Sequence, residues 1–340
     1  MKGADDMSIT AKELAQKLGL STAAVSMALN NKPGVSESTR ERVLKAAKEY
    51  GFDFSRQRLT EETKKGCIAF LIYRRHGAVV GDTQFFSSLS DGVVNAARAA
   101  GYQLNIQYLH QENCRSELRG LLSGDTKGAI LLGTELREED FGPFAAFPLP
   151  LVVLDAYFEG ISRDCVLINN VQGAFAAVNY MISKRKQQPG YLRSSYAIGN
   201  FEERADGFYK AIRHNGMSTS ASIVHRLAPS AEGAYADMKA LIAQGDPLAT
   251  CYFADNDLIA AGAMRALKEA GYRIPEDIGI IGFDNTSLCE MLEPPLSTMH
   301  VPKQAMGQLA VERLIAILER KPSAHVKIAV TTTLVKRGSL

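Results

Sequence analysis

From Gly66 to the end, the sequence alternates short unbroken apolar runs with helical stretches, and this alternation limits the possible folds more than any other feature. Cys67-Ile68-Ala69-Phe70-Leu71-Ile72-Tyr73 is apolar throughout, as a strand buried on both faces must be. Further runs predict strands near 103–108, 128–132, 151–154, 165–168, 191–198, 222–226, 249–253, 278–283 and 327–335. Helical spacing predicts helices near 86–100, 112–123, 172–183, 202–214, 231–244, 256–270 and 303–319. Strands and helices that alternate in this way build doubly wound parallel sheets with helices on both faces. So many strands over residues 66–340 exceed one comfortable core. The expectation is two lobes, one from about 66–160 plus 291–322 and the other from about 161–290 plus 323–340. Ligands of such sheets sit beyond the strand C-termini, so the cleft between the lobes is the expected site.

The first 58 residues read differently, as three short helices. Thr10-x-x-Glu13 is a capping box, and Leu14, Ala15 and Leu18 follow on one face until Gly19. Ser21 is a good N-cap for a second helix carrying Ala24, Val25, Ala28 and Leu29. Asn30-Asn31-Lys32-Pro33-Gly34 is a loop by composition. Ser36 caps a third helix with Val43, Leu44, Ala47 and Tyr50 on its apolar side. Two short helices joined through a glycine turn form a helix-turn-helix. The exposed N-terminal residues of the second helix, Thr22, Ala23, Ser26 and Met27, would face base edges in a major groove. A small helical subdomain with no nucleic-acid role has the same pattern.

Charge divides along the same boundary. The whole chain carries +2, but residues 1–65 hold 12 Lys+Arg against 9 Asp+Glu, and residues 66–340 hold 27 against 28. The total argues against a protein that is basic throughout. The division agrees with a small basic module on a slightly acidic body. The longest apolar stretch, Phe144 to Leu154, is broken by Pro148 and Pro150, far from the roughly 20 residues that a membrane span needs. No secretory signal is expected at Met1–Asp6. The five cysteines are scattered and read as small buried hydrophobes of a reducing compartment. The histidines are isolated, and neither metal-binding spacings nor nucleophile or nucleotide-binding motifs occur. No cofactor, metal or catalytic residue is therefore assigned.

Ile9 through Asn30, continued by Lys32-Pro33-Gly34-Val35-Ser36-Glu37-Ser38-Thr39-Arg40-Glu41-Arg42-Val43, resembles the DNA-binding headpiece of the LacI/GalR family of bacterial transcriptional regulators. The likeness continues in Phe201-Glu202-Glu203-Arg204-Ala205-Asp206-Gly207-Phe208, in Phe253-Ala254-Asp255-Asn256-Asp257 through Gly262, in Ile278 to Asn285, in Pro295-Leu296-Ser297-Thr298, and in Leu334 to Ser339. It implies an all-α headpiece over 8–53, a hinge over 54–65, and an effector-binding, dimerising body over 66–340 that looks like a periplasmic binding protein. The expected DNA contacts are Thr10, Ser21, Thr22, Ala23, Ser26, Met27, Asn30 and Lys32, with Leu59 as the candidate minor-groove wedge. Met27 stands where the family usually has Arg, and Glu61 and Glu62, which phosphate would repel, follow Leu59 in a hinge unlike the family's.

Four residues carry over as effector contacts: Asp155, Arg204, Asn256 and Asp284. Phe85, Phe86 and Phe253 match positions that pack on a ligand's apolar face, and Asp255 joins them at a strand end. Other readings stand beside these. Asp284-Asn285 also reads as a turn, Arg204 as a surface ion-pair partner, Phe253 as core and Asp257 as a helix N-terminal charge. The function implied is a cytoplasmic, dimeric, sequence-specific repressor whose affinity for double-stranded operator DNA is set by a sugar-like effector. The alternative is a carbohydrate-binding protein or carbohydrate-active enzyme with a non-functional headpiece. In that case Asp255 and Asp284 would form an acid–base pair.

Overall fold

The computed structural model of the chain describes residues 9–29, 34–50, 52, 65–81, 83–122 and 124–340. The chain divides into two compact units, Met1–Lys64 and Lys65–Leu340.

The first unit contains α1 (Ala11–Leu18), α2 (Thr22–Leu29) and α3 (Glu37–Glu49). The Thr10 hydroxyl accepts from the Glu13 amide at 3.3 Å, and the Glu13 carboxylate accepts from the Thr10 amide at 2.8 Å. Gly19 ends α1 with φ at 66°, a left-handed conformation that suits glycine. Ser21 and Ser36 accept from the amides three residues on, starting α2 and α3. Leu14, Val25 and Val43, one from each helix, are fully buried together with Ala15, Ala28, Ala46 and Ala47.

The second unit is built on two six-stranded sheets. The first runs in the order β11-β5-β4-β3-β1-β2 and is parallel throughout. Its strands are β1 (Cys67–Arg74), β2 (Gln103–His110), β3 (Thr126–Leu132), β4 (Leu151–Leu154), β5 (Asp164–Ile168) and β11 (Lys327–Val330). The second runs β12-β10-β9-β8-β6-β7, with β6 (Gly190–Ser194), β7 (Val224–Leu227), β8 (Cys251–Ala254), β9 (Gly279–Asp284), β10 (Ser297–His300) and β12 (Thr333–Val335). Only the β10–β12 pairing is antiparallel among the described strands. The helices are α4 (Gln84–Ala99), α5 (Cys114–Leu121), α6 (Gly142–Ala145), α7 (Asn170–Arg185), α8 (Gly199–His214), α9 (Ala231–Gln244), α10 (Asp257–Glu269), α11 (Leu288–Met291) and α12 (Lys303–Arg320).

The lobe boundaries differ from those read in the sequence. β5 pairs with β4, so the first lobe reaches Ile168 instead of ending near 160. β10 pairs with β9, so the second lobe reaches His300 instead of ending at 290. The single strand expected over 327–335 is two: β11 extends the first sheet and β12 the second, with Thr331 and Thr332 between them. A continuous apolar-to-polar run says nothing about which sheet each half pairs with. The strand expected over 191–198 ends at Ser194, where Tyr196 turns back to bond the Ser194 hydroxyl. The chain therefore crosses between lobes three times, at 168–170, 300–303 and 330–333.

Candidate functional site

Six of the eight residues expected at the effector site surround one cavity of about 370 Å³ between the lobes: Phe85, Phe86, Asp155, Arg204, Asn256 and Asp284. All but Arg204, which projects from within α8, reach it by an element end. Phe85 and Phe86 open α4, and their rings meet edge to face at 5.0 Å. Asp155 follows β4 and Asp284 closes β9, both with positive φ, 63° and 111°. Such conformations are uncommon for residues with a Cβ and concentrate at functional sites. Asn256 caps α10, accepting from the Ile259 amide at 2.8 Å. That bond occupies its oxygen and leaves the amide nitrogen as the donor for a guest.

Arg204 organises the second-lobe side. It is 3% exposed. Its Nε donates to Asn170 at 2.9 Å, its Nη1 to the Asp255 carbonyl, and its Nη2 to Asp284 at 3.3 Å. The guanidinium lies 3.8 Å from the centre of the Phe283 ring, a cation–π contact. Across the cleft, Thr134 donates to Asp155 Oδ2 at 2.6 Å, and Asn200 donates to the Asp155 carbonyl at 3.3 Å.

These carboxyls are hard to ionise. Burial pushes Asp155 up to about 6, against the pull of Thr134, Arg204 and Asn200. Burial likewise pushes Asp284 up to about 7; Arg204 opposes this and the nearby Asp257 adds to it. Desolvation of this size is common where a pocket is shaped for a guest. Carboxylate acceptors, a guanidinium and aromatic carbon together suit a hydroxyl-bearing ring.

Two expectations are corrected. Phe253 is fully buried in the core, packed on Tyr191, Phe208 and Phe283, and does not line the cavity. Asp255 points back into the lobe, where it accepts from the Tyr191 hydroxyl and, at 2.6 Å, from the Ser194 amide. It touches Arg204 only through its carbonyl. Strand side chains alternate faces, and which phase faces the cleft depends on the neighbouring sheet. Asp257, read as a helix N-terminal charge, does line the cavity while accepting from Thr298 at 2.6 Å and from the Thr286 amide at 2.9 Å.

Sequence reasoning missed the loop after β1. The Glu135 side chain, 0% exposed, accepts five backbone amides: Arg75, His76 and Gly77 on Oε2, and Val79 and Val80 on Oε1, all between 2.8 and 3.1 Å. Burial alone would raise its pKa, but these amides outweigh it and hold the carboxyl below the ordinary range. The segment so wound supplies Ala78, Val79 and Gly81 to the cavity and carries His76, whose ring meets Tyr196 of the other lobe at 4.9 Å. Gly133-Thr134-Glu135 follows β3, so the strand-end rule applied to that strand would have found Thr134 and Glu135. Asn200, one turn before Arg204 on α8, could have been found by helical spacing.

In the first unit, Thr22, Ala23 and Ser26 are exposed on α2. Met27 is half-buried, and a Cβ on Gly34, whose φ is 116°, would lie 3.0 Å from its sulfur. Part of Met27 therefore lies against Gly34. Thr10 and Ser21 serve as caps. Asn30, Lys32 and Leu59 lie outside the described residues. Among the described residues no group of His, Cys, Asp or Glu could hold a metal ion, and no helix is long and apolar enough to cross a membrane.

Two family models match the chain. "Bacterial regulatory proteins, lacI family" covers residues 10–53, and "Periplasmic binding protein-like domain" covers 178–340. The chain is 26% identical over 339 residues to the HTH-type transcriptional regulator GalR of Escherichia coli K12, an alignment spanning 97% of this chain and 95% of that protein. In fold it is similar to the transcriptional regulator CelR in complex with cellobiose, with a TM-score of 0.71 at 24% identity over 97% of this chain and 99% of that one. It is also similar to the Lac repressor dimer bound to operator and the anti-inducer ONPF, with a TM-score of 0.73 at 23% identity over 98% and 99%.

Proposed function

Because the chain belongs to the LacI family of bacterial regulatory proteins, we propose the following working scheme: it is a DNA-binding transcriptional regulator whose operator affinity is controlled by a small-molecule effector, and it acts as a cytoplasmic homodimeric repressor. Two headpieces related by two-fold symmetry read two half-sites of a pseudo-palindromic operator. Thr22, Ala23 and Ser26 face the bases, and Met27 offers apolar contact, for instance to a thymine methyl. The effector is a sugar or sugar derivative held by Asp155, Arg204, Asn256 and Asp284 against Phe85 and Phe86. It binds two conformational states unequally and so changes operator affinity. We assign the chain no catalytic step.

One observation carries this reading: a single chain joins a helix-turn-helix capped at Thr10 and Ser21 to a cleft where a buried guanidinium and two hard-to-ionise carboxyls converge. The test is duplex binding at physiological salt. A fragment from the protein's own upstream region should be bound at least about a hundredfold more tightly than random DNA, since specific sites exceed non-specific ones by ~10³ or more. A stabilising sugar should change that ratio. Equal binding of both duplexes, with and without sugars, would sink the proposal.

A further inference from the structure

The cleft holds a second cavity, of about 440 Å³, beside the first. The two share Thr134, Asp155, Ile198 and Asn200 as a common edge. The second lies beyond the end of β4 and along the start of α8, between Tyr157 and Phe158 on one side and Glu203 and Asp206 on the other. Both cavities fall in the size range of small-molecule sites, roughly 300–1,000 Å³.

Asp155 stands at the shared edge with unmet capacity. The residue is 2% exposed and its Oδ2 is taken by Thr134, yet Oδ1 has no hydrogen-bond partner among the described residues. Buried polar atoms are nearly always paired, so an exception calls for a donor from outside. The second cavity also repeats the chemistry of the first, with aromatic carbon beside carboxylate acceptors. The Tyr157 hydroxyl faces Glu203 and Glu159, and burial together with those carboxylates keeps it protonated well above the usual phenol range. Lys327 covers one face of the Tyr157 ring at 4.0 Å. Besides Asp155 the lining carries six carboxylates, among them Glu138, Glu159, Glu203 and Asp206, against Arg137, so a carboxylate-bearing guest would meet like charge.

Resting on the effector reading above, we propose that the effector is an oligosaccharide of at least two units, with one ring in each cavity, a hydroxyl at the junction donating to Asp155 Oδ1, and no carboxylate on the unit in the second cavity. A monosaccharide fills only the first cavity and leaves the second to water.

The full-length protein, titrated calorimetrically and by thermal shift with matched pairs (glucose and cellobiose, galactose and lactose, xylose and xylobiose, mannose and mannobiose), tests this. In the pair that stabilises the protein, the disaccharide should bind at least about tenfold more tightly than its monomer, equivalent to ~1.4 kcal/mol. Tyr157→Ala should remove most of that advantage. Glu159→Gln, at an exposed position, should reduce it without threatening the fold. A monosaccharide that binds as tightly as its dimer overturns the proposal, as does an advantage that survives both substitutions. So does a panel in which no sugar shifts the melting temperature. The duplex experiment without sugar judges the regulator reading separately.

Discussion

Asp155 combines three properties: a left-handed backbone, near-complete burial, and an oxygen without a partner. Asn tolerates that backbone and can still accept from Thr134, so Asp155→Asn should fold. In the folded state the carboxyl titrates near 6, while in the unfolded chain it titrates at its ordinary value. Between those values the folded protein keeps a proton that the unfolded chain has released. Stability from this group is therefore present at low pH and lost as pH rises towards 6, a cost of order ~3 kcal/mol when fully expressed. Without effector, the Asp155→Asn variant should melt higher than wild type at pH 8, and the gap should close as pH falls to 4. A pH-independent gap would show that the carboxyl is not desolvated as described. Arg204→Ala should abolish stabilisation by any effector, because it releases Asp284 and Asn170 together. An unchanged ligand-induced shift would remove Arg204 from the site. Residues whose placement is set by an element end, such as Asp155, Asn256 and Asp284, were legible in the sequence. Phe253 and Asp255 were not, because one step along the chain reverses the direction of a side chain and only the tertiary packing fixes which step faces the cleft.

At the scale of elements, the segment after β1 owes its shape to Glu135 more than to its own residues. Glutamine is nearly isosteric but keeps one acceptor oxygen and turns donors towards the remaining amides. Glu135→Gln should cost about 1–3 kcal/mol and raise hydrogen exchange at residues 75–80 selectively. Effector affinity should fall with it, since Ala78, Val79 and Gly81 line the cavity. If exchange in this segment were unchanged, Glu135 would not position it. A second device is the crossing of α4 and α12, where a Cβ on Gly92 would lie 2.2 Å from the Gln304 carbonyl oxygen and one on Gly307 2.4 Å from that of Leu89. Alanine usually stabilises a helix by up to ~1 kcal/mol over glycine. Here Gly92→Ala should instead destabilise by about 1–3 kcal/mol in denaturant titration, because backbone must move to admit the methyl. A net gain would mean that the crossing is loose. The longer helices and most strands were legible from periodicity and caps, but the one-turn helices α6 and α11 and the strand β10 were not. The five-amide winding around Glu135 was not, because it joins residues about 60 positions apart and leaves no periodic trace.

For the whole molecule, near-neutral total charge conceals a division of work: the basic excess lies in the first 65 residues and a slight acidic excess in the remainder. DNA affinity should therefore fall steeply with salt, by orders of magnitude between 50 and 200 mM if several phosphates are neutralised, while effector affinity should barely respond. A flat salt profile for duplex binding would place its energy outside the phosphate contacts. The two-lobed plan followed from the number of strands, but the allotment of strands to lobes did not, because pairing is decided between distant segments. The three crossings have a further consequence. Each lobe is assembled from separated stretches of sequence, whereas the three-helix unit is one uninterrupted stretch. Recombination can exchange the reader as one segment, but no one segment can exchange a lobe. Over evolutionary time such an architecture finds new operators for an old signal more easily than it rebuilds half of a sensor.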